Sequence, residues 1–179
     1  MPRERTYLRY QLYRSRARQL ANFSIAQPTN ELEPNSTRNN VLASVRFEAI
    51  NADALTAFSL WDEPHFSWDE VITWKAKEPI ALDLAIWFGL ELCGLCFANP
   101  NNSRLRIRIV RLEGKPGRPR LLKNRIAPLA LIAVEHYARI IGSMLIEIQE
   151  PAEGAVPIYQ KLGFEFDNED RLVMAIGSD

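Results

Sequence analysis

Glu153-Gly-Ala-Val-Pro-Ile-Tyr-Gln-Lys-Leu-Gly-Phe-Glu165 spells a short helix, its stop and the turn that follows. The spacing predicts a helix over residues 154–162 that ends at Gly163. A glycine there can take the left-handed conformation that closes a helix, and Phe164 then packs back on the last turn. Ala155, Ile158 and Leu162 fall on one face, with Tyr159 beside them. A tyrosine so placed can bury its ring and still present its hydroxyl to a cleft.

Outward from this stretch the pattern alternates between strands and helices. Ile126, Leu129, Ala130, Ala133, Val134, Tyr137 and Ile141 recur at helical spacing, so a helix is predicted over 125–141, stopped by Gly142. Pro128 fits its first turn, where a missing N–H costs little, and the free amides at that end can bind an anion. Strands are predicted at Ser143–Gln149 and Arg171–Ile176. Upstream, Val41–Ile50 alternates as a strand, and Asn51 or Asp53 can cap a helix over 52–61. Ser67-Trp-Asp-Glu70 fits a capping box for a helix ending near Lys77. Ile80–Phe88, Gly89 and Leu92–Ala98 read as a hairpin of buried strands. After the turn cluster Asn99–Ser103, Leu105, Ile107 and Ile109 alternate with Arg104, Arg106 and Arg108, a half-exposed strand with one arginine face. That face reads equally well as simply solvated. A Gly/Pro/basic loop, Glu113–Asn124, leads to the helix at 125.

The segment 153–165 resembles the C-terminal signature of the GNAT N-acetyltransferase superfamily, an alanine followed by a tyrosine and then Gly-Phe. The order strand-helix-helix-strand-strand-strand-helix-strand-helix-strand is similar to that family's over roughly residues 41–176. The resemblance implies an α/β protein of the GNAT-like acyl-CoA N-acyltransferase fold, a mixed central sheet flanked by helices, with a basic helical N-terminal extension. Residues 1–40 are then the extension and a polar linker, and 41–179 the domain. It further implies acetyl-CoA as cofactor and an amine as acceptor. Tyr159 would protonate the departing thiolate, and strand amides at Val110, Arg111 and Leu112 would meet the cofactor. The start of the helix at 125–141 would hold its pyrophosphate through Lys123, Asn124, Arg125, Ile126 and Ala127.

This chain departs from the family pattern in that loop. The usual Arg/Gln-x-x-Gly-x-Gly/Ala aligns with Leu122-Lys-Asn-Arg-Ile-Ala127, where only Ala127 matches. Two readings stand side by side. Either Lys123 and Arg125, with Arg118 or Arg120, replace close amide contacts by side-chain charge, or Arg125 fills the phosphate site. The asparagine often found three residues before the conserved alanine is Ala152 here. For a general base the candidate is Glu150, at the end of a strand, ahead of Glu147 and Glu91. Each of the three reads also as a solvated or ion-paired carboxylate.

Composition is that of a globular protein of ordinary single-domain size, 47% hydrophobic and 25% charged over 179 residues. No apolar run approaches the roughly 20 residues of a membrane span. Cys93 and Cys96, three apart on a strand, are expected on opposite faces as buried thiols in a reducing cytosol, and no metal site is expected. A cytoplasmic location follows from these expectations. Net charge is zero, yet six arginines lie in residues 1–20 and nine basic residues in 104–125. Elsewhere seven basic residues face twenty acidic ones. Such polarity suits an anionic ligand. Residues 3–22 read as a helix lying on the domain or on a partner, which is compatible with a homodimer. An alternative function is therefore an inactive GNAT-fold binding or regulatory protein, its N-terminal arginines taking a nucleic-acid or protein partner. Trp61, Trp68, Trp74 and Trp87 read as core or groove walls, and His65 and His136 as isolated structural residues.

Overall fold

The computed structural model describes residues 2–26, 42–117 and 121–177. Helix α1 (Pro2–Ala26) is followed by strand β1 (Val45–Glu48), α2 (Ala52–Phe58) and α3 (Val71–Lys77). Then come β2 (Leu82–Phe88), β3 (Glu91–Pro100) and β4 (Arg106–Gly114). The chain continues through α4 (Ile126–Ile141), β5 (Leu145–Ile148), α5 (Val156–Lys161), β6 (Glu165–Phe166) and β7 (Leu172–Ala175). The strands form one sheet in the order β1-β2-β3-β4-β5-β7-β6. Every pairing is antiparallel except β4 with β5. Apart from β6, a two-residue edge strand, the predicted order of elements is the observed one.

Two cores flank the sheet. The larger gathers side chains of α1, α4, α5 and one sheet face, and the smaller lies between the other face and α2 and α3. Two bulges decide which residues face which core. Ile86 pairs with Gly94 but Trp87 with Leu92, which leaves Cys93 as an extra residue on β3. Phase therefore slips by one, and Cys93 joins Cys96 in the larger core instead of facing away from it. Both remain free thiols, as expected, and burial raises their pKa values to about 11 and about 12. On β4, Phe97 pairs with Arg111 and Ala98 with Ile109, so Val110 is the extra residue. Val110 packs on the smaller core, while Ile109 and Leu112 both join the larger.

The N-terminal helix is more deeply engaged than its sequence shows. Tyr10, Arg14, Ala17 and Ala21 form one buried stripe at helical spacing. The stripe reads as imperfect because an arginine sits inside it. Arg14 donates to the carbonyls of Pro79 at 3.1 Å and Ala81 at 3.2 Å. Arg18 donates to the Asp83 carbonyl at 2.7 Å and to its carboxylate at 2.9 Å. Asp83 is 1% exposed, and also receives the Ile50 amide at 2.8 Å and Lys75 at 3.4 Å. Burial alone would raise the Asp83 pKa, but Arg18, Lys75 and the Ile50 N–H outweigh it and hold the carboxyl below its ordinary value. Asn22 meets the backbone of Phe47 on the edge strand in both directions, at 3.0 and 2.7 Å. Arg14 and Arg18 are thus unavailable to a partner; Arg5, Arg9 and Arg16 are exposed. Residue 40 marks a change of sequence character, and the helix that precedes it packs into the core. The polar linker at 27–40 lies outside the described residues.

Candidate active site

α5 and its turn are held by their own backbone. Gly163, at φ +107°, donates to the Gln160 carbonyl at 3.1 Å, and Phe164 donates to the Tyr159 carbonyl at 3.1 Å. This is the paired hydrogen-bond pattern of a helix stopped by glycine. The Phe164 and Tyr159 rings meet edge to face at 5.7 Å, the hydrophobic contact that goes with that stop. The buried face is Ala155, Tyr159 and Leu162, with Ile158 at its margin, half in solvent. The first turn, Glu153–Ala155, is a 3-10 turn, and Pro157 sits where α5 needs no N–H.

Tyr159 faces the larger core near Cys96. Burial first, and the neighbouring thiol second, push its pKa up to about 12, so the phenol stays protonated at neutral pH. No hydrogen bond to that hydroxyl is found among the described residues.

The sheet opens where the bulge occurs. β4 and β5 pair from Arg106 with Leu145 to Ile109 with Ile148, and the Gln149 amide makes a last bond to the Ile109 carbonyl at 3.0 Å. Beyond it, Glu150 takes φ +43° and turns the chain away, while β4 runs on to Gly114 with no partner on that side among the described residues. Val110, Arg111 and Leu112 lie on this open edge. The result is a wedge-shaped gap with unpaired strand backbone along one wall.

At the wide end of the gap stands the first turn of α4, beside a cavity of about 290 Å³. Lys115, Lys123, Asn124, Ile126, Ala127 and Ile158 are among the residues lining it. Helix α4 has no side-chain cap: Arg125 is the N-cap residue, and its carbonyl accepts from Leu129 at 2.9 Å. Pro128 has no N–H, which leaves the Ile126 and Ala127 amides at the helix end. Asn124 takes φ +62°, the left-handed conformation that a loop glycine would otherwise supply.

Ile126 is wedged over the facing pair Gly94 and Gly114. A β-carbon at Gly94 would come within 2.9 Å of it, and one at Gly114 within 3.3 Å. Arg125 does not line the cavity, so the residue that packs down at this point is Ile126. Arg118 and Arg120 lie outside the described residues.

The carboxylates separate clearly. Glu147 is buried and held by Arg108 at 2.7 Å and Arg106 at 3.5 Å, and Glu91 pairs with Lys115 at 2.6 Å. Glu150 is exposed at the turn after β5 and makes no hydrogen bond or ion pair among the described residues. Neither Glu150 nor Tyr159 lines the two cavities beside β4; their neighbours Gln149 and Ile158 do.

Glu113 is a structural carboxylate that sequence patterning missed. Its oxygens accept the amides of His65 at 2.8 Å and Phe66 at 2.9 Å, and the Trp68 indole at 3.1 Å. It caps the segment before α3, where Ser67 makes no side-chain capping bond. His136 is likewise not isolated: its Nε2 lies 3.0 Å from the Ser24 hydroxyl, joining α4 to α1. Trp61, Trp68 and Trp87 are core residues. Trp74 walls a second cavity, with the Arg111 guanidinium 3.8 Å above its ring.

No family model and no curated protein matches the sequence. Solved structures do. The ribosomal-protein-S18-alanine N-acetyltransferase from Escherichia coli is 10% identical, covers 75% of this chain and 96% of its own, and has a TM-score of 0.56. The PaiA N-acetyltransferase from Thermoplasma acidophilum, in complex with coenzyme A, is 14% identical over 76% of this chain and all of its own, at 0.53. This chain has the GNAT fold. An aminoglycoside 6'-N-acetyltransferase from Enterococcus faecium shares it at 15% identity, over 75% of this chain and 98% of its own, with a TM-score of 0.54. Among the described residues, no GNAT-fold helix here is long and apolar enough to cross a membrane, and no His, Cys, Asp and Glu group could hold a metal.

Proposed function

We propose that this protein is an acetyl-CoA-dependent N-acetyltransferase. The observation that carries the reading is the gap that opens past Ile109 and Ile148, with unpaired β4 backbone on one wall and the cationic start of α4 at its wide end. The donor set suits a nucleotide pyrophosphate: Lys123 supplies charge, Lys115 being paired with Glu91 in the same lining, and the Ile126 and Ala127 amides supply the helix end. When bound, acetyl-CoA supplies an activated acyl group as a thioester. With the cofactor bound, the open-edge amides of Val110–Leu112 would offer hydrogen bonds to an acyl oxygen. Tyr159, protonated at neutral pH, would be the group to supply a proton to a leaving thiolate. Glu150, free of ion pairs and exposed beside the split, accepts the proton that the acceptor amine gives up.

The test is acetyl-CoA-dependent release of free thiol by the full chain in the presence of primary amines. Release that saturates with acetyl-CoA and yields an N-acetylated product supports the reading. An enzyme-independent rate with every amine class, acidic, neutral and basic, removes it.

A further inference from the structure

On the α3 side of β4 lies the second cavity, of about 450 Å³. Its charged lining is one-sided: Lys77, Arg106, Arg108 and Arg111 against the single carboxylate of Glu78. Glu147 neutralises part of this charge from behind: its Oε2 meets both Arg108 at 2.7 Å and Arg106 at 3.5 Å, and Arg108 also donates to Gln149 Oε1 at 3.3 Å. Arg106 remains short of partners. Its buried Nε makes no hydrogen bond among the described residues and has only a long ion-pair contact to Glu147, at 3.5 Å. Asn99 Oδ1, in the same wall, is also unpartnered. Arg106 and Arg108 of the arginine face therefore line a cavity, while Arg104, ahead of β4, is exposed with its guanidinium 5.9 Å from the Tyr10 ring.

The position of this cavity gives it a meaning. Val110 and Arg111, on the open edge of β4, form one end of it, and Gln149 lines it from across the split. Arg108 stands two residues before the bulge, roughly 6–7 Å along the strand. An amine presented at Val110 thus has a guanidinium within reach of whatever group it carries next to its nitrogen. Guanidiniums recognise carboxylates by paired hydrogen bonds, and a wall of net positive charge repels polycationic amines. We infer that the acceptor is a small amine that also bears a carboxylate, of amino-acid size. The inference rests on the acetyltransferase reading for which group reacts, and on the cavity alone for which group binds.

Two measurements on the full chain separate those foundations. Transfer rates are compared for L-amino acids and their C-terminal amides, with spermidine as the cationic probe. The free acids are expected to exceed their amides by at least tenfold in kcat/KM, with spermidine poorest. Arg108→Gln should reduce the acid-to-amide ratio several-fold, and so should Lys77→Gln, which leaves the Glu147 pair intact. Equal rates for acid and amide, or a preference for spermidine, overturn the inference while leaving acetyl transfer standing. Binding is read independently, without acetyl-CoA, by tryptophan fluorescence against a Trp74→Phe control. Saturable quenching by amino acids but not by their amides supports the inference even where transfer fails. Absence of any carboxylate-dependent signal, together with no acid preference in transfer, overturns it.

Discussion

Helix α5, whose Ile158 lines the cavity at the start of α4, is closed by a turn built by means opposite to those that open α4. α5 is stopped within its own residues: Gly163 and Phe164 bond back to Gln160 and Tyr159, and two rings meet over the turn. α4 starts without a side-chain cap. Its first residue is held instead by glycines on two other strands, Gly94 and Gly114, into whose missing side chains Ile126 fits. Local chemistry dictates the first region, and long-range packing dictates the second. The start of α4 is positioned by the sheet beneath it, with Asn124 at φ +62° taking the conformation a loop glycine would supply.

The largest expected effect concerns what stands behind α4. Deleting residues 1–41 removes Tyr10, Ala17 and Ala21 from the core and strips Asp83 of Arg18. The loss should be on the order of 5 kcal/mol or more, comparable with the whole stability of a small domain. Circular dichroism on heating should show no cooperative transition. A sharp melt close to that of the full chain would return α1 to the role of an appendage.

Next in size is Tyr159→Phe, which keeps the ring against Phe164 and removes only the proton. Turnover should fall by at least tenfold, within the roughly 10²–10⁴-fold of general acid catalysis, while acetyl-CoA affinity stays put. Turnover within about twofold of the parent would take Tyr159 out of the chemistry.

The two regions can then be set directly against each other with alanine. Gly94→Ala drives a methyl against Ile126 and should cost about 1–3 kcal/mol by overpacking, with weaker acetyl-CoA binding as the helix end shifts. Gly163→Ala should cost about 1–2 kcal/mol, because φ +107° strains any L side chain and Met174 is only 3.3 Å away. Its effect on cofactor affinity should be small. Denaturant melts and acetyl-CoA titrations of both variants decide the matter; equal effects on affinity would erase the distinction between the regions.

Within the α4 loop, Lys123→Ala should weaken acetyl-CoA binding by tenfold or more, since a charged hydrogen bond is worth about 1.5–3 kcal/mol. Arg125→Ala should change it less, because Arg125 does not line the cavity. Tighter binding by Arg125→Ala would revive the view of this residue as a plug.

The last effect is read on the acid limb of the stability profile. The Asp83 pKa is depressed in the folded state, so its stabilising contribution is present above its ordinary value of 3.8 and is lost as pH falls through the lower folded value. Asp83→Asn should flatten the acid limb of the stability profile measured by denaturant melts below about pH 4. An unchanged limb would show that other carboxylates control it.

Much of this was legible in the chain, and the limits have physical causes. The α5 turn was readable because a helix stop involves neighbours in sequence; the Gly142 stop of α4 was readable for the same reason. The bulges at Cys93 and Val110 were not, since each adds one residue with no mark in composition and shows only against a partner strand. That slip is why Cys93 and Cys96 face the same core. The burial of α1 was hidden because its stripe includes Arg14, whose charge is satisfied by carbonyls far away in sequence. Glu113 was hidden likewise, as its partners lie on the segment before α3. For the candidate site, the sequence points to Tyr159 and the α4 start; in the structure Lys123, Asn124, Ile126 and Ala127 line the cavity there, and Tyr159 does not. That Glu147 is committed to Arg108, and that Arg106 and Arg108 line a cavity, needed the sheet.

On the acetyltransferase reading, the loop Leu122–Ile126, which contains no glycine, presents a phosphate site at α4. Calorimetric titration of the full chain with acetyl-CoA measures this. Saturable binding at a single site in the micromolar range is expected, weakened at least tenfold by Lys123→Ala. No heat and no saturation with millimolar acetyl-CoA, from a protein that melts cooperatively, would contradict it.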